Sequence, residues 1–120
     1  MARILIVEDD ESVRAFTARA LQAAGHAVEI AEDGDQGMEK IAAADGKYDL
    51  VLSDIRMPVM DGIEMARRAA RAYPSLRILL MTGYAEQRER AAELEGVVVG
   101  VVNKPFTLPQ IRDEVSRAMR

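Results

Sequence analysis

Five short apolar segments alternate along the chain with five segments of helical periodicity. The apolar segments are rich in Val, Ile and Leu, and short runs of this kind are typical of strands that are buried on both faces. The strands are predicted at 4–7, 27–31, 48–53, 77–81 and 97–102. Strands that alternate with helices over short loops favour an α/β fold, in which a parallel sheet has helices on both faces.

Capping residues mark the ends of several predicted helices. Asp10 stands where an N-cap is expected before the first helix, and Gly25 stands at the position of a left-handed C-cap. A second, weaker helix is predicted over 35–43. Asp61 and Glu64 have the D-x-x-E form of a capping box before the third helix. The inner face of that third helix is expected to comprise Ile63, Ala66, Ala70 and Tyr73.

The last two helices differ in how much apolar surface they offer to a core. Segment 86–95 has only Ala91, Ala92 and Leu94 as apolar anchors, so it is expected to be the least firmly docked. The last helix is predicted from 108 to the end of the chain. Its inner face is expected to comprise Leu108, Ile111, Val115 and Met119.

Length and charge limit the class of protein. The 120 residues fit one domain, 1–120, with no separate effector domain. A net charge of −4 argues against nucleic acid or an anionic membrane as a partner, because both attract basic surfaces. The absence of cysteine excludes disulfides and thiolate chemistry. The N-terminal apolar run is too short for a signal peptide or a membrane span, so a soluble cytoplasmic protein is expected.

Polar residues capable of chemistry stand at the carboxyl ends of four predicted strands. Glu8 and Asp9 follow the first strand, Asp54 the third, Thr82 the fourth and Lys104 the fifth. In open α/β sheets, ligands bind at this edge. Carboxylates that are close together repel one another and require a cation or a raised pKa. Because hard oxygen ligands with open positions suit Mg²⁺, the sequence predicts a magnesium site here.

The two remaining strand-end residues extend this site towards phosphate. Lys104 supplies a mobile positive charge, and Thr82 supplies a hydroxyl donor to the same oxygens. Positioning and charge neutralisation do most of the catalysis in phosphoryl transfer. The set therefore indicates transfer of a phosphoryl group to a carboxylate.

Four segments, ILIVEDD, LVLSDIRMPVMDG, LLMTG and VNKPF, resemble in order and spacing the receiver domains of bacterial two-component response regulators. The resemblance covers the whole chain and implies a (βα)5, flavodoxin-like fold with strand order 2-1-3-4-5. It implies a phosphorylation-controlled signalling switch in which Asp54 accepts a phosphoryl group from a histidine kinase or a histidine phosphotransfer protein. Such a switch is not a conventional enzyme, and its chemistry is limited to self-phosphorylation from a phosphodonor and autodephosphorylation.

The resemblance also implies a role for each matching residue. Asp9 would ligate Mg²⁺ directly, and Glu8 would act mainly through a metal-bound water. Thr82 and Lys104 would bind the phosphoryl oxygens. The protein ligands of the metal site would be Glu8, Asp9, Asp54 and the backbone carbonyl of Arg56.

Two features concern how such a switch would move. Many receivers carry Tyr or Phe three residues before the lysine, and here that position is Val101. Tyr84 is the nearest aromatic residue to Thr82 and is a candidate to replace that aromatic switch or to gate access to Asp54.

In the family the Lys-Pro bond, here Lys104-Pro105, is typically cis. An output protein is expected to bind the face formed by residues 86–120.

Three alternatives remain open at this point. The segment MPVMDGIEMARRA and the short chain also resemble small alphaproteobacterial receivers that control adaptor-dependent proteolysis. A stand-alone receiver is preferred, and the chain could instead be the receiver part of a longer regulator or hybrid kinase. A phosphatase of the haloacid-dehalogenase type is disfavoured, because such enzymes need an acidic residue two positions after the nucleophile. Here that residue is Arg56, which does not serve as an acid near neutral pH.

Overall fold

The structure is a computed structural model that describes residues 2–120, so Met1 of the predicted domain lies outside the described residues. It confirms the α/β fold. Five parallel strands form one sheet in the order β2-β1-β3-β4-β5. The strands are β1 Arg3–Val7, β2 Ala27–Ala31, β3 Leu50–Asp54, β4 Ile78–Thr82 and β5 Gly100–Asn103. The helices are α1 Glu11–Ala23, α2 Gly34–Ala43, α3 Gly62–Ala72, α4 Ala85–Ala91 and α5 Leu108–Ala118.

The sheet separates two apolar cores. Successive side chains of a strand point to opposite faces, so Ile4 and Leu5 of β1 lie in different cores. Helices α1 and α5 cover the face of Ile4, with Leu21 and Ile111 among the buried contacts. Helices α2, α3 and α4 cover the face of Leu5. Strands β3 and β4 are buried along their whole length, which explains why they are almost continuously apolar.

Side-chain caps begin four of the helices. Asp10, Asp33, Asp61 and Thr107 each accept a hydrogen bond from a backbone N–H in the first turn. The cap from Asp33 starts α2 at Gly34, one residue earlier than predicted. At the end of α1, Gly25 has a φ of 94°, which confirms the left-handed position expected there.

Two strand boundaries differ from the prediction. Strand β3 begins at Leu50, because the Tyr48 N–H is used in the preceding turn, where it donates to the Gly46 carbonyl at 3.0 Å. The Tyr48 hydroxyl donates to Glu29 Oε1 at 2.9 Å. Strand β5 begins at Gly100, not at 97. Residues 97 and 98 are held in a turn by hydrogen bonds from their N–H groups to the Leu94 carbonyl, after Gly96 takes a φ of 86°.

The helix predicted over 86–95 is shorter than expected. Helix α4 ends at Ala91 and continues as a single 3-10 turn, Ala92–Leu94. Tyr84 precedes α4 without a side-chain cap. Ala91 and Leu94 are buried, whereas most of the helix surface is exposed. This agrees with the expectation that α4 is the least firmly docked helix.

Two predicted helix faces need correction. On α3, Ala69 is fully buried, whereas Ala70 and Tyr73 are only partly buried, because the inner stripe runs through 62, 65, 66 and 69. On α5, Leu108 is 46% exposed, so its predicted place in the core is wrong. It occupies the first position of the helix, before the turn that reaches the sheet through Ile111 and Val115.

Candidate functional site

The strand-end residues meet on one rim of the sheet, as predicted. Asp54 and Thr82 are the last residues of β3 and β4, while Glu8 and Lys104 come directly after β1 and β5. Parallel register aligns Asp54 with Met81, so Thr82 projects one residue further along the rim. The structure thus places Asp54 inside the buried strand, where the sequence had placed it just after the strand.

Three carboxylates converge at this rim. Glu8, Asp9 and Asp54 each offer one oxygen, and these oxygens lie within 4.8 Å of one another. Glu8 and Asp54 are buried, whereas Asp9 is exposed. Burial raises the pKa of Glu8, which the neighbouring Lys104 offsets only in part. The pKa of Asp9 is also raised, first by desolvation and then by its contact with Glu8.

Lys104 supplies a positive charge that offsets the repulsion between these carboxylates. Its Nζ donates to Glu8 Oε1 at 2.9 Å and to Asp54 Oδ2 at 3.0 Å. Desolvation alone lowers the pKa of Lys104, but the bonds to the two carboxylates outweigh it and leave the pKa raised. The Lys104 N–H donates to the Thr82 carbonyl at 2.9 Å, and the Lys104-Pro105 bond is cis as predicted.

Thr82 is buried beside this group with its hydroxyl proton available. Thr82 Oγ1 accepts a hydrogen bond from the Tyr84 N–H at 3.1 Å, which leaves its own proton free to be donated to an incoming oxygen. The described contacts of this hydroxyl therefore match the role of an oxygen-binding donor.

An open cleft of about 980 Å³ lies over the rim. Arg56 and Tyr84 stand together at its wall, with the Arg56 guanidinium carbon 5.1 Å from the centre of the Tyr84 ring. This distance is within the range of a cation–π contact. Tyr84 is 47% exposed, so the pair lies at the mouth of the cleft. Val101, the position without the usual aromatic, is partly buried against the core of α2, α3 and α4.

Sequence reasoning missed one close backbone contact at Asp54. A Cβ atom on Gly62 would lie 2.2 Å from the backbone oxygen of Asp54, and the Gly62 N–H donates to the Ile55 carbonyl at 2.7 Å. The D-G pair at 61–62 gave a signal for a turn or cap, but not for this contact. Only glycine allows α3 to begin so close to the end of β3.

Other contacts missed by the sequence connect α3 and α4. Asp61 Oδ2 accepts from Arg90 Nη2 at 3.0 Å, while Asp61 Oδ1 caps α3. Desolvation raises the pKa of Asp61, but the Glu64 N–H and Arg90 outweigh it and leave the pKa lowered. Arg67 and Glu93 form a second pair at 3.3 Å. Spacing along the chain carries no signal for pairs separated by 26 or 29 residues.

The donor set fits a small, hard divalent cation. The three carboxylates supply only oxygen atoms and face an open cleft, so positions remain for water and phosphate oxygens. Arg56 lines the same cleft, and ligation by its carbonyl stays a prediction. Among residues 2–120, no helix is long and apolar enough to cross a membrane.

Comparisons with known proteins agree with this architecture. Residues 4–116 match the model of the response regulator receiver domain. The receiver protein CpdR of Brucella abortus is 36% identical over 119 residues, which cover 99% of this chain and 98% of CpdR. The sensor kinase CckA of Brucella abortus is 33% identical, and the match covers 98% of this chain but 12% of CckA. The response regulator MprA of Mycolicibacterium vanbaalenii is 34% identical, and this chain spans half of its length.

Solved structures show the same fold with similar sequence. The chemotaxis response regulator CheY4 of Vibrio cholerae has a TM-score of 0.86 and 30% identity, covering 98% of both chains. TrrA of Thermotoga maritima, solved with Mg²⁺ and BeF, has a TM-score of 0.88 and 30% identity, covering 98% of this chain and 99% of TrrA. The chain therefore belongs to the response regulator receiver family of two-component systems, whose members are phospho-accepting signalling switches.

Proposed function

We propose that Asp54 is the phosphoryl acceptor and that Mg²⁺ is held by Glu8, Asp9, Asp54 and the backbone carbonyl of Arg56. The observation that carries this proposal is the position of Lys104, whose Nζ is shared between Glu8 and Asp54. A buried carboxylate paired with a mobile cation, beside an exposed acid and an open cleft, suits a group that gains negative charge during the reaction.

The proposed transfer forms one bond and breaks one bond at phosphorus. A carboxylate oxygen of Asp54 forms a bond to phosphorus while the bond from phosphorus to its leaving group breaks, and the leaving group takes up a proton. Bound Mg²⁺ supplies charge neutralisation at the phosphoryl oxygens. Lys104 turns from the carboxylate to a phosphoryl oxygen, and the free hydroxyl proton of Thr82 is donated to another. Hydrolysis of the acyl phosphate later restores Asp54.

This chemistry phosphorylates and then restores the domain itself, and it does not turn over external substrates. Arg56 stands two residues after Asp54, at the cleft wall, where a hydrolase of the aspartate type needs a general acid. The phosphodonor is a histidine kinase or a histidine phosphotransfer protein, and the domain acts in the cytoplasm without nucleic acid or membrane contacts. The net charge of −4 supports the absence of nucleic acid and membrane contacts. Control of adaptor-dependent proteolysis stays a prediction.

The output would be read from the face of α4, β5 and α5. Helix α4 buries only Ala91, and its polar attachments to its neighbours are the Arg90–Asp61 ion pair and the Arg88–Asn103 hydrogen bond. Exposed pairs contribute about 0–1 kcal/mol each, so a phosphoryl group pulling on Thr82 can redistribute them. With Val101 in place of an aromatic, the Thr82–Tyr84 segment is the connection between Asp54 and α4.

Beryllofluoride with Mg²⁺ mimics the acyl phosphate and tests this switch without a kinase. Amide hydrogen exchange should change at 82–94 and near Lys104 in the wild type, and remain unchanged at β2. Asp54→Asn should abolish the change, because the anion has lost its acceptor oxygen. Unchanged exchange at 82–94 in a wild type that binds beryllofluoride would contradict the proposed output route.

A further inference from the structure

Arg14 lies outside the recognised motif residues, yet its side chain contacts the backbone of Glu8, one of the three acids of the cluster. It stands on α1 with a side chain only 12% exposed. Its Nη1 donates to the backbone carbonyl of Glu8 at 2.9 Å, and its Nη2 lies 3.8 Å from Glu32 Oε1. The guanidinium therefore spans from the end of β1 to the residue that follows β2.

The carbonyl that Arg14 contacts belongs to the peptide unit joining Glu8 to Asp9. The peptide preceding it is held by the Glu8 N–H, which donates to the Ala31 carbonyl at 3.1 Å. The Glu8 side chain is held in turn, since Oε2 accepts from the Asp10 N–H at 3.2 Å. Arg14 completes this set by holding the peptide that joins Glu8 to Asp9, two of the three acids of the candidate metal site.

Glu32 gives the guanidinium a second anchor. Its backbone N–H donates to Gln36 Oε1 at 3.1 Å, and its Oε2 accepts from Gln36 Nε2 at 3.4 Å. Glu32 is largely exposed, so its pair with Arg14 contributes little energy by itself. The planar fork of arginine reaches a carbonyl and a carboxylate at once, which a lysine ammonium at the same position does not reproduce.

We infer that Arg14 is a positioning residue that sets the Mg²⁺ affinity of the site by holding the Glu8–Asp9 peptide in place. This inference rests on the proposed function, because it concerns the metal that the same acids would bind. Groups that orient metal ligands from outside typically change affinity about 10- to 100-fold when they are removed.

The sign of the effect separates positioning from simple charge. Arg14 contacts the backbone of one of the three acids, so removing its positive charge would tighten binding of a divalent cation if Arg14 acted only through its field. Loss of a positioning contact weakens binding, because the carboxylates must be ordered when the ion binds. Arg14→Met should therefore raise the Mg²⁺ dissociation constant about tenfold. Arg14→Lys, which keeps the charge and one donor, should fall between Arg14→Met and the wild type.

The test is a calorimetric titration with Mg²⁺ alone, with phosphorylation by acetyl phosphate followed across Mg²⁺ concentrations. At saturating Mg²⁺ both variants should approach the wild-type rate, which a general loss of structure would not allow. Arg112→Met, which removes an exposed charge on α5, is the control and should leave the dissociation constant unchanged. Thermal unfolding in EDTA identifies any variant that is not folded. If Arg14→Met is not folded, the Mg²⁺ dissociation constant of Arg14→Lys tests the inference instead.

Two failures are distinguishable. A wild type that neither binds Mg²⁺ nor accepts phosphate overturns the proposed function itself. A wild type that binds Mg²⁺, with folded Arg14 variants that bind it equally well or more tightly, leaves the proposed function intact and overturns the inference about Arg14.

Discussion

Lys104 Nζ lies 3.0 Å from Asp54 Oδ2, so the acceptor carboxylate is already paired with a cation before any phosphoryl group arrives. The same ammonium lies 2.9 Å from Glu8, which is fully buried. One cation shared between two acids offsets part of the repulsion between them. In the proposed transfer, Lys104 passes from this pair to a phosphoryl oxygen.

Replacing Lys104 should have opposite effects on metal binding and on phosphorylation. Lys104→Met removes a donor to the phosphoryl oxygens, so the rate of phosphorylation by acetyl phosphate should fall on the order of a hundredfold. Mg²⁺ should bind more tightly, because no ammonium competes for the carboxylates. Rates come from intact-mass time courses and affinities from calorimetry. Weaker Mg²⁺ binding in a folded Lys104→Met variant would count against the shared-cation account.

Gly62 should tolerate no side chain. A Cβ there would meet the Asp54 backbone oxygen at 2.2 Å, and backbone cannot rotate away as a side chain does. Gly62→Ala should lower the free energy of unfolding by about 1–3 kcal/mol, the usual cost of overpacking, and slow phosphorylation of Asp54. Gly83→Ala is the matched control, because its Cβ would meet only the Lys104 carbonyl at 3.5 Å. Equal urea midpoints for Gly62→Ala and Gly83→Ala would show that Gly62 does not lie so close to the Asp54 backbone.

Tyr84 should regulate the lifetime of the phosphorylated state. Its ring stacks with Arg56 at the mouth of the cleft, so Tyr84→Ala should admit water and speed dephosphorylation several-fold. Tyr84→Phe keeps the ring and should remain close to the wild type. Loss of the phosphorylated mass over time measures both. A Tyr84→Ala variant with wild-type lifetime and unchanged partner binding would exclude a gate at this position.

Tyr48 gives the fold a specific response to alkaline pH. Burial and the bond to Glu29 raise the pKa of Tyr48 from 10.0 to about 12. Below pH 10.0 the phenol is protonated in both the folded and unfolded chains, and its contribution to stability is fully present. Above that pH the unfolded chain loses the proton while the folded chain retains it, so the free energy of unfolding falls as the pH rises.

Comparison with Tyr48→Phe isolates this contribution from other groups that titrate in the same range. Between pH 9 and pH 11, the free energy of unfolding measured in urea should fall by on the order of 1 kcal/mol more for the wild type than for Tyr48→Phe. Identical losses for the two proteins would mean that the Tyr48 phenol ionises equally in the folded and unfolded states.

Most of the fold and the principal site could be predicted because both depend on local signals. Apolar runs and helical periods determine the order of elements, and the ends of parallel strands share a rim. This places Asp9, Asp54 and Lys104 together without knowledge of any contact. Segment 97–102 was predicted to contain β5, and the strand begins only at Gly100, because the N–H groups of 97 and 98 are used by a turn after Gly96.

The remaining features depend on contacts that leave no pattern in the sequence. Arg14 bonds to a backbone carbonyl, and any residue has one. The Arg90–Asp61 pair joins residues on different helices. The exposure of Leu108 follows from its place at the first position of α5, whereas its apolar character alone predicts burial. Close approach at Gly62 likewise appears only when two elements are placed together.

The most direct measurement of the central claim is intact mass after incubation with acetyl phosphate and Mg²⁺, for the wild type and for Asp54→Asn. We predict a gain of one phosphoryl group that requires Mg²⁺ and is absent from the variant. Labelling of Asp54→Asn to the same extent, or no labelling of a wild type under conditions that label a control receiver, would contradict the assignment of Asp54 as the acceptor.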